Sequence, residues 1–137
     1  MSKTDKARTI FDADRYATEL TGIAIASVGE HEATCTLTVD RHHCNARGVA
    51  MGGTIYTLAD FAAAIAANTD CLEDGNLHWV SLDATSHYLS PAPQGTMLTA
   101  TCRTIKHGRT TALYQTIIES LDNGKTIAIV ETTMVYV

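Results

Sequence analysis

The stretch from Gly48 to Ala67 reads GVAMGGTIYTLADFAAAIAA and decides the fold of this chain. Between Arg47 and Asp70 its only charged residue is Asp60. Alanine, leucine and isoleucine favour a helix, and we predict one long helix over about residues 53–68. A carboxylate among so many alanines is costly to bury unless it is paired or used, so Asp60 is the first candidate functional residue.

The two sides of this helix differ in character. At about 100° per residue, one stripe of larger apolar residues can face a sheet; it contains Ile55, Leu58, Ala62 and Ile65. The side around Asp60 carries Tyr56, Ala63, Ala64 and Ala67 instead of the usual charged residues. Small residues let another backbone approach, most simply from a second subunit. The pattern therefore predicts an oligomer whose interface runs close to Asp60.

The rest of the chain predicts an α+β fold. A short helix over 9–20 is expected to pack through Phe11, Tyr16 and Leu20. Runs with strand character follow on either side of the long helix, separated by Gly-, Pro- and Asn-containing turns; they cover 21–28, 31–39, 77–89, 96–106, 110–120 and 125–136. This order predicts an antiparallel sheet curled over one dominant helix. We expect a single domain over 1–137, with 1–20 as an N-terminal helical extension.

The bulk properties exclude several classes of protein. With 137 residues, 45% hydrophobic and 18% charged, the chain has the composition of one ordinary globular domain. Its net charge of -5 argues against a generic nucleic-acid binder. No apolar stretch is long enough to cross a membrane, and no signal peptide follows the N-terminus. We expect a cytoplasmic protein without nucleic-acid or membrane partners.

The cysteines and histidines do not indicate a metal site. Cys35, Cys44, Cys71 and Cys102 are widely spaced, form no CxxC pair and are expected to be free thiols. His42-His43-Cys44 has metal-ligating side chains, but neighbours on an extended segment point in alternate directions. No second ligand pair lies at the spacing of a zinc site. We expect no metal.

The segment from His43 to Ala64 resembles the hotdog-fold acyl-CoA thioesterases of the phenylacetate-degradation, or PaaI-like, type. Asn45, Gly48, the Gly52-Gly53 pair and Leu58-Ala59-Asp60 fall in register with that family's core pattern. Weaker similarity follows at Val80–Asp83, Tyr88–Gly95 and Lys106–Thr110, so the resemblance covers about residue 20 to the C-terminus. One departure is Met51, which stands where the family usually has a histidine before the glycine pair.

The resemblance implies a hotdog fold and hydrolysis of an acyl-CoA thioester, with no bound cofactor. Asp60 would be the general base or nucleophile, and Asn45 would hold the water or substrate. The backbone N–H of Gly52 would stabilise the oxyanion, and Ser81 matches a position that orients the water in some relatives. A helix N-terminus suits that task because its unpaired N–H groups and its dipole favour negative charge.

The resemblance also implies an oligomer. Asp60 lies roughly 12 Å along its own helix from Gly52, so the two cannot easily serve one centre within a single chain. The resemblance implies that Asp60 of one subunit approaches Gly52 of the other across a two-fold axis. We expect a homodimer, and a homotetramer built as a dimer of dimers.

A cationic segment is a candidate contact for coenzyme A. No Asp or Glu occurs from Ala84 to Ile118, where Arg103, Lys106 and Arg109 occur together. These cations, with Gly53 at the helix start, could contact the substrate's phosphates and backbone. An ordinary solvated hairpin explains the cations equally well.

Two other functions stay open at this stage. The same fold could bind an acyl-CoA without cleaving it, with Met51 marking the loss of catalysis, and Asp60 would then be a buried carboxylate that ties two subunits together. A hotdog dehydratase ranks last because such enzymes pair a catalytic histidine with a carboxylate. The identity of the acyl group is not readable from these residues.

Overall fold

The structure is a computed structural model that describes residues 1–137. Its main elements in chain order are α1 (Lys3–Phe11), a π-helical turn (Tyr16–Thr21), β1 (Ala24–Gly29), β2 (Glu32–Thr38), α2 (Gly52–Ala67), β3 (Trp79–Tyr88), β4 (Met97–His107), β5 (Thr111–Ser120) and β6 (Thr126–Tyr136). The strands form one antiparallel sheet in the order β1-β2-β4-β5-β6-β3. The predicted α+β class, with one long helix on an antiparallel sheet, is confirmed.

The long helix α2 packs on the concave face of the sheet, chiefly against β2, β4 and β5. The predicted apolar stripe is buried: Leu58, Ala62 and Ile65 have no exposed surface, and Ile55 is 4% exposed. Strands β2 and β5 alternate buried and partly exposed residues, as a sheet with one covered face should. Strand β3 is exposed over most of its length. We call the face away from α2 the outer face.

The N-terminal helix differs from its prediction. It begins at Lys3, where the hydroxyl of Ser2 caps it by accepting the Asp5 N–H at 3.0 Å, and it ends at Phe11. The chain turns over residues 12–15 before the π-helical turn, so the single helix predicted over 9–20 is wrong. Phe11 is buried as expected, but Tyr16 and Leu20 are each 66% exposed. The turn lets Phe11 and Ala17 both reach the core, which a straight helix would prevent.

The small-residue side of α2 is partly covered by the chain itself. Ala63 and Ala67 are fully buried within one chain. Residues 14–17 lie over Asp60 and Ala64. Ala63 and Ala67 therefore need no second subunit to bury them. The predicted interface close to Asp60 stays a prediction.

The two edge strands of the sheet, β1 and β3, differ in how far other residues cover them. At the β1 edge, the guanidinium of Arg8 donates to the carbonyl of Ile25 at 2.9 and 3.1 Å, and the hydroxyl of Thr4 accepts the Val28 N–H at 3.1 Å. At the β3 edge the side chain of Asn68 binds the backbone N–H and carbonyl of Trp79, each at 3.0 Å, but further along the strand Leu82 is 60% exposed. An open apolar edge is a surface for strand pairing, whereas a covered one is not.

The histidine-cysteine stretch has a structural role. His43 is buried, and its Nδ1 accepts the Asp40 N–H at 2.9 Å. Its Nε2 therefore carries the proton that it donates to the carbonyl of Thr21 at 2.7 Å. Both ring nitrogens are thus used within the chain. All four cysteines are unpaired, and burial raises the pKa of Cys35 and of Cys102 to about 12.

None of the helices combines the length and the apolar character that crossing a membrane requires.

Truncation of Phe11 tests how firmly the N-terminal extension is held. Phe11 is 2% exposed and meets the ring of Phe61 edge-on at 6.0 Å between centroids. We expect Phe11→Ala to lower the free energy of unfolding by about 3–5 kcal/mol, because it leaves a core cavity. The matched control Tyr16→Ala, at an exposed ring, should change it by less than about 0.5 kcal/mol. Urea titrations followed by Trp79 fluorescence at equal protein concentration measure both; equal effects would contradict the packing described here.

Candidate functional site

A cavity of about 340 Å³ opens at the start of α2. It is lined by Asn45, Val49, Ala50, Gly52, Ile55, Tyr88, Leu89, Ser90 and Pro91. The structure therefore brings Asn45 and Gly52 to one place, as their predicted roles require.

The loop before α2 is built around Asn45. Its side-chain oxygen accepts the N–H groups of Arg47 at 2.9 Å and Val49 at 3.4 Å. Gly48 closes this turn with φ +80°, a left-handed conformation that favours glycine. Because the oxygen is occupied by the loop, the amide Nδ2 of Asn45 is the group left to donate to a molecule in the cavity.

The first N–H groups of α2 are free. The carbonyl of Met51 accepts from Thr54 and Ile55, while the N–H groups of Gly52 and Gly53 have no partner in the chain. These donors lie at the positive end of the helix dipole, so they favour an anion or a developing oxyanion.

Tyr88 packs against the first of these glycines. Its hydroxyl donates to the carbonyl of Gly52 at 3.2 Å. A Cβ at Gly52 would lie 3.1 Å from the Tyr88 ring, whereas a Cβ at Gly53 would meet open space. Gly52 is thus the glycine that the close contact requires, and Gly53 leaves the helix start open to a ligand.

Met51 does not disorder this loop. Its side chain is 50% exposed, and its backbone N–H donates to the carbonyl of His43 at 2.9 Å. The hydroxyl of Thr54 lies 3.5 Å from the same carbonyl. Backbone hydrogen bonds to the buried His43 segment therefore hold the start of α2, whatever side chain stands at position 51.

A second cavity, of about 290 Å³, lies beside Asp60. Its walls come from α2 and from the N-terminal segment, namely Thr57, Asp60, Phe61 and Ala64 with Asp14, Arg15, Tyr16 and Ala17. Asp60 is half-buried and accepts a hydrogen bond from the Ser81 hydroxyl at 3.2 Å. Burial raises the pKa of Asp60 above 3.8, and the Ser81 hydrogen bond offsets part of that rise.

Two neighbours respond to the charge of Asp60. The pKa of Tyr56 is raised, first by burial and then by the Asp60 carboxylate. The pKa of Asp14 is raised by burial and then by Asp60 as well. The two carboxylates therefore share one cavity. Sequence reasoning missed Asp14, because nothing in its local sequence reveals a contact with a residue so distant along the chain.

The predicted site residues fall into two groups within one chain. Asn45 and Gly52 line the first cavity, while Asp60 and Ser81 meet at the second. This separation agrees with the distance along α2 from which two subunits were inferred. Within a single chain, the structure therefore does not bring Asp60 and Gly52 into one cavity.

Two of the three predicted cations lie on the outer face of the sheet. Arg103 lies on the outer face, where its strand neighbours are Glu32 and Gln115. A bulge between Thr104 and Lys106 keeps Lys106 on that face, opposite Leu113. The sheet also places a carboxylate, Glu32, beside Arg103. The contact of these cations with coenzyme A stays a prediction.

Arg109 lies in the turn between β4 and β5. It lines a third cavity of about 480 Å³ with Trp79, His107 and Asp70. This cavity therefore lies near the C-terminus of α2, which ends at Ala67.

Comparison with known proteins identifies relatives of this chain. Residues 47–127 match the family model described as the Thioesterase superfamily. The acyl-coenzyme A thioesterase PaaI of Escherichia coli strain K12 is 32% identical over 123 residues, covering 90% of this chain and 83% of that protein. Human acyl-coenzyme A thioesterase 13 is 32% identical over 106 residues, covering 77% and 74% respectively.

Solved structures are similar over nearly the whole chain. The E. coli PaaI protein from the phenylacetic acid degradation operon matches with a TM-score of 0.85 and 29% identity, covering 99% of this chain and 96% of that one. Zebra fish thioesterase superfamily member 2 matches with a TM-score of 0.82 and 26% identity, covering 98% and 95%. The similarity thus extends to the N-terminal extension.

Removal of the Ser81 hydroxyl tests the environment of Asp60. In Ser81→Ala we expect the pKa of Asp60 to rise further above 3.8, because the hydrogen bond that favours the carboxylate is lost. Ser86→Ala, on the same strand but without a contact to Asp60, should leave that pKa unchanged. NMR titration of the Asp60 carboxyl carbon measures both; a lower pKa in Ser81→Ala would contradict the geometry.

Proposed function

Because the chain belongs to the thioesterase superfamily, as a PaaI-like hotdog thioester hydrolase, we propose that it hydrolyses acyl-CoA thioesters to a free acid and coenzyme A. One observation carries the mechanism: α2 presents two free backbone N–H groups at its start and a single half-buried carboxylate two turns further on. The two N–H groups can stabilise an oxyanion, and the carboxylate can activate a nucleophile.

The N–H of Gly52 is the proposed oxyanion donor. When water or a carboxylate attacks the thioester carbon, the carbonyl oxygen gains negative charge. Fixed backbone donors at that point cost no reorganisation, and removing one such donor raises the barrier by on the order of 3 kcal/mol. The free amide of Asn45 lies in the same cavity and would orient the thioester or the water.

Asp60 is the proposed base or nucleophile. Burial raises the pKa of Asp60, which makes its carboxylate a stronger base than that of an exposed aspartate. As a base it takes a proton from water while the water oxygen attacks the carbonyl carbon. The carbon–sulfur bond then breaks, and the CoA thiolate takes up a proton. The Ser81 hydroxyl holds one carboxylate oxygen and leaves the other for this work.

The complete centre needs two subunits. Asp60 and Gly52 of one chain are roughly 12 Å apart along a straight helix, so each requires a complement from elsewhere. The open β3 edge, with Val80, Leu82 and Tyr88 exposed by 44, 60 and 52%, supports pairing with a second copy. A two-fold axis there would bring Asp60 towards Gly52 of the partner subunit. The homotetramer built from two such dimers stays a prediction.

Coenzyme A contacts are proposed for the groups that face open space. Gly53 leaves room for the substrate beside the helix start, and Arg109 is a cation at the rim of a cavity. Arg103 and Lys106 on the outer face would serve phosphates only if the substrate crosses the sheet edge. No bound cofactor is required by this chemistry.

Replacement of Asp60 distinguishes an acyl-CoA thioesterase from a non-catalytic acyl-CoA binding protein. We expect Asp60→Asn to lower kcat by about 100-fold or more on a panel of acyl-CoAs. The control Asp12→Asn changes an exposed acid outside the Gly52 and Asp60 cavities and should have no effect on kcat. In wild type kcat should rise with pH as Asp60 ionises. The midpoint of that rise should lie above the ordinary aspartate pKa, because burial raises the pKa of Asp60. Direct thioester absorbance is the readout, because thiol reagents react with the cysteines. Tight acyl-CoA binding without turnover by either protein would instead favour the non-catalytic binding protein.

A proline at position 52 tests the oxyanion donor. Proline suits the first position of a helix, and Met51 already has the extended conformation, φ -62° and ψ 144°, that precedes proline. Gly52→Pro removes the N–H, and we expect kcat to fall about 100- to 1,000-fold. The control Gly52→Ala makes the same Cβ contact with Tyr88 but keeps the N–H, so its loss should be much smaller.

The same variant tests whether two subunits share a centre. Co-expressed Asp60→Asn and Gly52→Pro chains should form mixed dimers in which one of the two centres is intact. With equal mixing, activity should return to about one quarter of wild type, since half of the dimers are mixed. Mixtures no more active than the separate variants would show that both groups act within one chain.

A further inference from the structure

The N-terminal segment forms one wall of the Asp60 cavity. Residues 14–17 face Thr57, Asp60, Phe61 and Ala64, which lie on one stripe of α2 at helical spacing. The cavity therefore runs along α2 from Thr57, past the Asp60 carboxylate, to Ala64. An acyl group whose carbonyl carbon lies at Asp60 has this space beside it.

This wall is held in place rather than loosely attached. Phe11, just before it, packs edge-on against Phe61 in the cavity floor, with 6.0 Å between ring centroids. Arg8 is hydrogen-bonded to two carbonyls of β1, and Lys6 forms an ion pair with Glu73. The segment that follows α1 thus has a defined position relative to Asp60.

The cavity suits a compact apolar group. Its volume of about 290 Å³ is at the lower end of the range for ligand pockets, about 300–1,000 Å³. Phe61 and Ala17 are buried, and the small side chains of Ala17 and Ala64 leave the space open. A short or compact acyl group fits, and a long chain would leave the cavity.

Charge sets the second property of the cavity. The Asp14 carboxylate has no hydrogen-bond or ion-pair partner, and it faces the same space as Asp60. The one cation in the lining, Arg15, has its guanidinium 3.7 Å from the carboxylate of Glu19. The cavity therefore holds two carboxylates without a dedicated counter-charge.

We propose that residues 14–17 form the acyl-binding wall, and that the Asp14 carboxylate selects against acyl groups that end in a carboxylate. The proposal rests on the proposed function, because it takes Asp60 as the point at which the thioester reacts. It assigns to the N-terminal extension a role in choosing substrates that are compact and uncharged.

A matched substrate pair tests the charge selection. Pentanoyl-CoA and glutaryl-CoA have acyl chains of five carbons and differ in the terminal carboxylate. Wild type should prefer pentanoyl-CoA in kcat/KM, and Asp14→Asn should reduce that preference by about tenfold, because a like charge is removed. Asp12→Asn, two residues away but outside the cavity, is the control and should leave the preference unchanged.

The dependence of the substrate preference on salt concentration distinguishes an electrostatic role of Asp14 from a purely structural one. The wild-type preference should shrink as ionic strength rises, and that of Asp14→Asn should respond less. An unchanged preference in Asp14→Asn, or an equal change in Asp12→Asn, overturns the charge selection.

A cavity-filling variant tests the wall itself. Ala64→Leu narrows the space and should lower the ratio of kcat/KM for pentanoyl-CoA to that for acetyl-CoA, whereas Ala13→Leu, on the exposed side of the segment, should not. Circular dichroism confirms folding in both. An unchanged ratio in Ala64→Leu shows that the acyl group lies elsewhere.

Binding measurements separate this proposal from the proposed function. Non-hydrolysable thioether analogues of the pentanoyl and glutaryl substrates can be titrated calorimetrically into wild type and Asp14→Asn. If no acyl-CoA is hydrolysed but the binding preference depends on Asp14, the hydrolase mechanism fails and the acyl wall stands. If hydrolysis depends on Asp60 but neither preference depends on Asp14, the wall fails and the mechanism stands.

Discussion

The burial of α2 in the concave face of the sheet is the constraint on which the rest of this structure depends. Leu58, Ala62 and Ile65 lose all contact with solvent there, and the alanines allow the helix backbone to lie close to the strands. The helix is therefore rigid and its rotation is determined. Gly52 and Asp60 therefore have fixed positions on the helix, about two turns apart. Neither can move towards the other without exposing the core.

That rigidity keeps the two predicted catalytic groups of one chain apart. Catalysis of acyl transfer needs the oxyanion donors and the activated nucleophile around one carbon atom, within a few ångströms. On a single straight helix, the Gly52 donor and the Asp60 carboxylate cannot meet. The proposed mechanism therefore requires a second copy, and the β3 edge is the part of the sheet proposed to bind it.

The N-terminal extension accounts for the difference between the two edges. Through Arg8 and Thr4 it covers the polar groups of β1, which would otherwise invite further strand pairing. Beyond Phe11 the chain turns and covers part of α2 beside Asp60. One short segment thus protects an edge, completes the core and shapes the space next to the candidate catalytic carboxylate.

The sequence by itself determined the class of fold, the position of the long helix and the identity of its two unusual features. Gly52-Gly53 and Asp60 stand out because helix propensity, apolar spacing and charge are local properties, and a buried helix tolerates few exceptions to them. The family resemblance then supplied roles for those residues. The tertiary structure alone decided which groups meet: Ser81 with Asp60, Tyr88 with Gly52, and Asp14 with the Asp60 cavity. It also placed Glu32 beside Arg103. Such contacts join residues far apart along the chain, and they depend on strand register, bulges and the path of a turn, which local sequence patterns do not specify.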